Sequence, residues 1–476
     1  MLDRRQFLRG GLAAAAWGLA GGWPLSGLAK PGPRVRELTL IAGVTPVDLG
    51  GGGSFLAWTY NGRLPGPEIR LRQGDILRVR LKNHLPEPTT VHWHGLAVPN
   101  LMDGVAGLTQ KPVPPGGEFL YEFPVTQAGT YFYHSHRGLQ LDRGLYGPLI
   151  VEPAAAEVRP PDREYVLMLE DWARVDGGGP NSPRRRPPGM MMGGMMGGMG
   201  RGGGGDEPPL EPVYDAFAVN GRAYPHGPAL AVRQGERVRL RLINASAVSI
   251  YDLSLAGHPL VITHTDGRPV RPQTTQVLRL APGERYDVEF LADNPGRWLL
   301  ASNNLGWGEN GLRVEVAYQG VRRAEPVPPL FRPGLSYATV WDLRAARPQP
   351  PRAGRGRGRE YRQVLSGGMH SAWWTINGQV WPRADYLFAP IDTRVRLKYL
   401  NRSMMPHPMH LHGHSFRVVN PALEPAWWVT KDTLLVERGG GAAVDFLADN
   451  PGFWFHHCHN LYHMEAGMAG AVEVSA

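Results

Sequence analysis

The stretch NGRLPGPEIRLRQGDILRVRLKN, Asn61 to Asn83, decides the fold because the chain repeats it. NGRAYPHGPALAVRQGERVRLRLIN begins at Asn220 and NGQVWPRADYLFAPIDTRVRLKYLN at Asn377, 159 and 157 residues further on. In each copy apolar and polar residues alternate with period two, the pattern of a strand with one buried face. A second trio keeps the same phase: PPGGEFLYEFPVTQAGTYFYHSH from Pro114, APGERYDVEFLADNPGRWLLASN from Ala281 and ERGGGAAVDFLADNPGFWFHHCH from Glu437. Between them lies a weaker trio, VHWHGL from Val91, YDLSLA from Tyr251 and MHLHGH from Met409. Repetition at this scale predicts three homologous units, over 35–155, 156–325 and 326–476. Short alternating strands and turn clusters predict an all-β chain of three Greek-key β-sandwich or barrel domains.

The composition agrees. The chain has 476 residues with 62 Gly and 45 Pro, which favours turns and short strands over long helices. Its net charge is +9, but the basic residues form no stripe interleaved with aromatics, so no nucleic acid partner is expected. At the start, MLDRRQFLRGGLAAAAWGLAGG pairs Arg4 and Arg5 with a short Ala- and Gly-rich run. This resembles a twin-arginine export signal over 1–30, which makes the twin-arginine translocation machinery a partner and the mature protein periplasmic or secreted. No later run is apolar enough for stable membrane insertion, and a monomer is expected. Two segments break the repeat. One is the Met- and Gly-rich loop 188–209, with Met190, Met191, Met192, Met195, Met196 and Met199. The other is the basic stretch RPQPPRAGRGRGREYR from Arg347, also expected as a loop.

Aligning the repeats sorts the 17 histidines. The first unit carries His92-Trp93-His94 and His134-Ser135-His136; the third carries His410-Leu411-His412 and His457-Cys458-His459. The same slots in the middle unit read Asp252-Leu253-Ser254 and Ala301-Ser302-Asn303. Residues i and i+2 of a strand share a face, so each pair presents two imidazoles side by side. Eight converging imidazoles exceed what one ion needs and suit a cluster of two or three. The first unit must then face the third, and the middle one acts as a spacer. The remaining histidines, His84, His226, His258, His264, His370, His414 and His456, read as structural or exposed.

Cys458 is the only cysteine, so an internal disulfide is excluded. It lies between two cluster histidines, and its sulfur therefore points to the opposite face. There it can meet His407 and His463, with Met468 on the loop beyond; Met464 is an alternative thioether. Two His, one Cys and a weak axial Met form a blue-copper electron-transfer site.

HWHG, HSH, HPMHLHGH and HCHNLYHMEAGM, in that order, closely resemble the four copper signatures of multicopper oxidases, the family of laccases, ascorbate oxidase and bacterial copper-efflux oxidases. The resemblance covers nearly the whole mature chain and implies three cupredoxin domains. It implies a copper cofactor of four ions: type 1 on His407, Cys458, His463 and Met468; type 2 on His92 and His410; a type 3 pair on His94, His134, His136, His412, His457 and His459. It implies that a reducing substrate loses single electrons at type 1 and that dioxygen is reduced to water at the trinuclear cluster. Asp103 matches an acid near the type 2 copper in relatives, a candidate for proton relay; a solvated turn aspartate is the other reading. Several bacterial relatives place a second acid directly after the second type 1 histidine. Here that position is Met464 and Glu465 follows, so Glu465 is either a relay residue or a helix cap. The Met-rich loop points to Cu(I) among the donors, beside phenols and aromatic amines, or is a plain linker. A copper-storage protein with little turnover is the alternative function, and a cupredoxin that has lost its metals a third.

Overall fold

The structure is a computed structural model that describes residues 32–173, 211–303, 311–321, 325–368 and 372–475. The proposed export signal and the Met/Gly-rich loop lie outside the described residues, as does His370. Residues Arg34–Ala476 form one compact unit built almost wholly of strands in six sheets.

The sheets come in three pairs, each drawn from one stretch of chain. The first pair orders Ser54–Tyr60, Val35–Asp48, Ile76–Asn83 and Glu118–Pro124 in one sheet and Ile69–Arg72, Tyr146–Glu152, Gly129–His134 and His92–His94 in the other. Each stretch contains the same parallel pairing: Val35–Ala42 with Ile76–Asn83, Arg163–Leu169 with Val238–Asn244, and Arg359–Leu365 with Val395–Asn401. Parallel neighbours need a crossover, which gives each stretch the Greek-key connection expected of a sandwich. The strand Tyr337–Ala338 lies at the edge of a sheet of the second set.

The repeated residues show why the sequence repeats. Asn61, Asn220 and Asn377 all adopt positive φ, between 53° and 56°, before a glycine, as a tight hairpin turn requires. Each side chain also clamps the next strand: Asn61 accepts from Ile41 N–H and donates to Thr39 O. Asn220 does the same with Met168 and Val166, and Asn377 with Val364 and Arg362. The asparagine ending each copy is equally constrained. Asn83, Asn244 and Asn401 are buried and donate to two or more carbonyls across the loop that leads to the histidine strand of the outer stretches and its counterpart in the middle one. A buried amide so fully paired fixes loop geometry.

Polar contacts bind the stretches together. Tyr214 and Tyr462 both donate to Asp142, each at 2.8 Å, so one carboxylate joins all three. Burial pushes the Asp142 pKa up to about 7. Asn100 donates to Phe453 O and Asn450 to Val98 O, fastening the first stretch to the third. The Gly/Arg-rich stretch is held at Gln349 N–H to Ala426 O and Arg355 N–H to Asp392 O, and from Arg359 it becomes a strand rather than continuing as loop. No helix among the described residues is long and apolar enough to cross a membrane.

Candidate metal centre

The strands His92–His94 and Gly129–His134 pair antiparallel with His92 opposite His134. In the third stretch His407–Leu411 pairs with Gly452–Cys458, placing His410 opposite His457 and Met409 opposite Cys458. His136, His412 and His459 stand just past the ends of their strands. Two-residue alternation alone therefore does not aim them; the turn that follows each strand does.

The two outer stretches meet through their imidazoles. His92 packs on His412 with ring centroids 3.9 Å apart, and His94 stacks on His410 at 3.8 Å. His136 Nε2 lies 3.4 Å from His457 Nε2, which lies 3.1 Å from His412 Nε2. All eight rings are buried. Burial and mutual repulsion hold His94, His134, His136, His410, His412, His457 and His459 far below the usual imidazole pKa, so they are neutral.

Hydrogen bonds select which nitrogen faces the cluster. Nδ1–H of His92, His134, His410 and His457 donates to the carbonyls of Asp103, Ser135, Asp432 and Cys458. Nδ1–H of His412 donates to Asp103 Oδ2 at 2.9 Å. These rings turn Nε2 inward. His94 is reversed: its Nε2 meets Asp432 Oδ1 at 3.2 Å and Thr433 Oγ1 at 3.1 Å, leaving Nδ1 bare. The bare atoms, Nε2 of His92, His134 and His410, Nδ1 of His94 and both nitrogens of His459, are buried without a partner. Orphaned lone pairs cost free energy unless an electron acceptor sits among them, so this donor set fits metal ions. Three triads drawn from these imidazoles, and one with Asp432, hold their ligand atoms within 4.8 Å of one another.

On the other face of the same strand, Cys458 Sγ lies 3.6 Å from His407 Nδ1 and 3.7 Å from His463 Nδ1, which are 3.1 Å apart. Those edges suit one ion bonded at about 2.0–2.3 Å to all three. Burial pushes the thiol pKa far up, so a thiolate there needs a cation beside it. Ser403 Oγ bonds His407 Nε2 at 2.7 Å and fixes that ring. Trp374 stacks on His463 at 3.9 Å. Met468 is fully buried, and its carbonyl accepts from Cys458 N–H. His456, on the Cys458 face, instead pairs with the Tyr399 hydroxyl at 2.8 Å.

Models of multicopper oxidase domains match residues 45–156, 163–319 and 357–476. The chain belongs to the multicopper oxidase family. It is similar to the multicopper oxidase MmcO of Mycobacterium tuberculosis, 35% identical over 98% of this chain and 96% of that one. It is 28% identical to a copper resistance protein A homologue of Pseudomonas syringae pv. tomato over 99% of both. Among solved structures, a multi-copper oxidase from Pseudomonas thermotolerans superposes with TM-score 0.72 and 29% identity, covering 93% of this chain and 100% of that one. This multicopper oxidase is thus a copper-dependent oxidoreductase with dioxygen as acceptor, folded as cupredoxin-like sandwiches.

Asp103 is completely buried and serves both outer stretches, accepting from His412 at 2.9 Å with Oδ1 3.2 Å from His92 Nδ1. It is no solvated turn residue. Glu465 ends the helix Leu461–Glu465, where burial raises its pKa to about 7 against the pull of Arg137, the residue after His136. Among the described residues no hydrogen bond joins it to a cluster imidazole, and the helix is capped at its other end by Asn460.

Sequence reasoning missed the floor of the cluster. Arg285, from the middle stretch, grips Asp432, and Asp266 accepts from the amides of Asp432, Thr433 and Arg285. Lys431 bridges Asp266 and Glu284 at 3.2 Å each. Gly95 of HWHG is needed here: its φ is +90°, and a Cβ would sit 2.7 Å from Asp432 Oδ2. Gly283, φ +83°, would put one 2.8 Å from the His459 ring. The middle stretch is therefore more than a spacer. The available signal was Glu284-Arg285 in APGER, two charges where the neighbouring repeats carry Gly117-Glu118 and Gly440-Gly441.

Proposed function

We propose that the protein carries four copper ions and couples one-electron oxidation of a small reducing substrate to reduction of dioxygen to water. His407, Cys458, His463 and Met468 hold type 1; His92 and His410 hold type 2; His94, His134, His136, His412, His457 and His459 hold the type 3 pair. Bound copper supplies one-electron transfer at the thiolate site and dioxygen reduction at the imidazole sites. The observation that carries this reading is the register of Met409 opposite Cys458 and His410 opposite His457. One pair of strands bears both sites, so the backbone flanking Cys458 is a covalent path from the sulfur to His457 and His459. The same economy argues against storage, which needs no linked sites.

The chain's own groups orient and protonate. Asp103 sets the His92 and His412 tautomers and is the carboxylate placed to pass protons to the cluster. Glu465, buried with its pKa raised to about 7, is the second carrier. Cu(I) is a donor beside phenols and aromatic amines: Met404 and Met405 expose 53% and 40% of their surface, soft thioethers on the loop that Ser403 ties to His407. The 35–155, 156–325 and 326–476 units are the three domains, and a role in copper tolerance follows from Cu(I) oxidation. Arg4 and Arg5 with the apolar run after them support export by the twin-arginine route to the periplasm or beyond, as a monomer. Oxygen uptake by the copper-loaded chain, with a phenol and then with Cu(I), tests the function. Uptake with neither, at full copper content, would favour the storage reading.

A further inference from the structure

A cleft of about 550 Å³ opens on the side of the third stretch away from the sulfur site, with Ala97 and Gln127 from the first stretch and Arg268 from the second completing its wall. Its charges do not balance. Arg352 pairs with Asp449, and Arg394 and Arg396 share Asp445. Arg268 and Arg417 have no carboxylate within ion-pair distance among the described residues, and Arg268 reaches only the Ser415 hydroxyl, at 3.2 Å. Arg417 is the anomaly. Its Nε and Nη2 are buried with no acceptor, and this edge offers the two parallel N–H groups that grip carboxylates and phosphates. Its compensations are the Trp428 ring, 5.5 Å away, and the more distant charge of Asp445 on the neighbouring strand, which Arg394 and Arg396 already engage.

A second unpaired atom lies in the same wall. His414 is buried, its Nδ1 3.3 Å from His412 O, and its Nε2 has no partner. With Nδ1–H donating to that carbonyl, Nε2 is an acceptor and suits a ligand carrying its own hydrogen. Buried polar groups left unpaired call for an ion or solvent to complete them.

We propose that this cleft binds a small oxyanion that carries an O–H, hydrogenphosphate or a hydroxycarboxylate, between the guanidinium groups of Arg417 and Arg268, with His414 Nε2 accepting a hydrogen bond from the ligand's O–H. The site lies outside the copper-ligating imidazoles and joins the turn after their strand through Gly413 and the His412 carbonyl. Its occupant adds charge balance that the described chain does not supply.

The test uses the full copper-loaded chain, with inorganic phosphate as probe, glycolate as the carboxylate arm and chloride at equal ionic strength as control. Phosphate at about 10 mM should raise the melting temperature by about 2 °C or more over chloride. A larger rise with glycolate would assign the site to hydroxycarboxylates. Arg417→Met and Arg268→Gln should abolish or weaken the rise, and calorimetric affinity should fall at least about fivefold. Arg417→Met breaks no direct ion pair and removes a buried charge, so in chloride it should melt at or above the parent. No rise beyond chloride with either anion, an equal rise in the variants, or a melting point well below the parent for Arg417→Met would each overturn the proposal.

Discussion

Arg285 places its two terminal nitrogens 2.6 and 2.5 Å from the two oxygens of Asp432, with neither side chain open to solvent. Asp432 in turn faces His94 Nε2, so a residue of the middle stretch sets a histidine of the first through a carboxylate of the third. Breaking a buried pair from one side strands a charge and costs about 3–5 kcal/mol. Arg285→Met and Asp432→Leu should each destabilise the copper-free chain by that order in urea. The double variant should lose clearly less than their sum, because neither member of the pair is left facing an empty place. Additive losses would show the pair to be uncoupled.

Asp103 gives a different signature. Asp103→Ala removes the acceptor of His412 Nδ1–H and leaves the sulfur site untouched. The blue absorption should persist while reoxidation by dioxygen slows about 10–100-fold, the usual size for loss of a ligand-orienting carboxylate. Loss of blue colour along with activity would mean that Asp103 supports the whole fold instead.

How much of this could be read from the chain depends on the interaction. The repeated asparagines and the His-x-His pairs were legible because local turn chemistry and strand period leave marks in sequence. The reversed His94 ring was not, since its direction depends on Asp432, 338 residues away. Nor was the Lys431–Asp266–Glu284 group, because Asp266 and Glu284 lie in turns and Lys431 ends a two-residue strand, where charges look solvent-facing until the packed stretches bury them. The cleft charges on Arg417 and Arg268 are likewise silent in sequence, which does not show which arginines meet a carboxylate in space.

Stability should depend on pH through Glu170. It is buried, and burial raises its pKa from 4.5 to about 8 despite hydrogen bonds from Gly221 N–H and the Trp172 indole. The folded chain therefore holds this proton where the unfolded chain releases it. The resulting contribution is fully present below pH 4.5 and is lost as the pH rises through about 8. Glu170→Gln keeps an acceptor and cannot ionise. Its melting temperature should match the parent near pH 4.5 and exceed it at alkaline pH; a constant offset across that window would refute the shift.

The exposed thioethers separate the donors. Replacing Met404 and Met405 together by Ala should lower Cu(I) oxidation about fivefold or more and leave phenol oxidation nearly unchanged, since phenols need no soft ligand. Parallel losses with both donors would remove the case for copper capture at this loop.

The linked pair of sites is tested most directly by visible absorption and copper content of the copper-loaded protein beside Cys458→Ser. The expected result is an intense blue band with about four coppers in the parent, and in the variant loss of the band with the imidazole-bound copper retained. A folded, copper-saturated parent without the blue band would contradict the assignment of Cys458 and with it the proposed route for electrons.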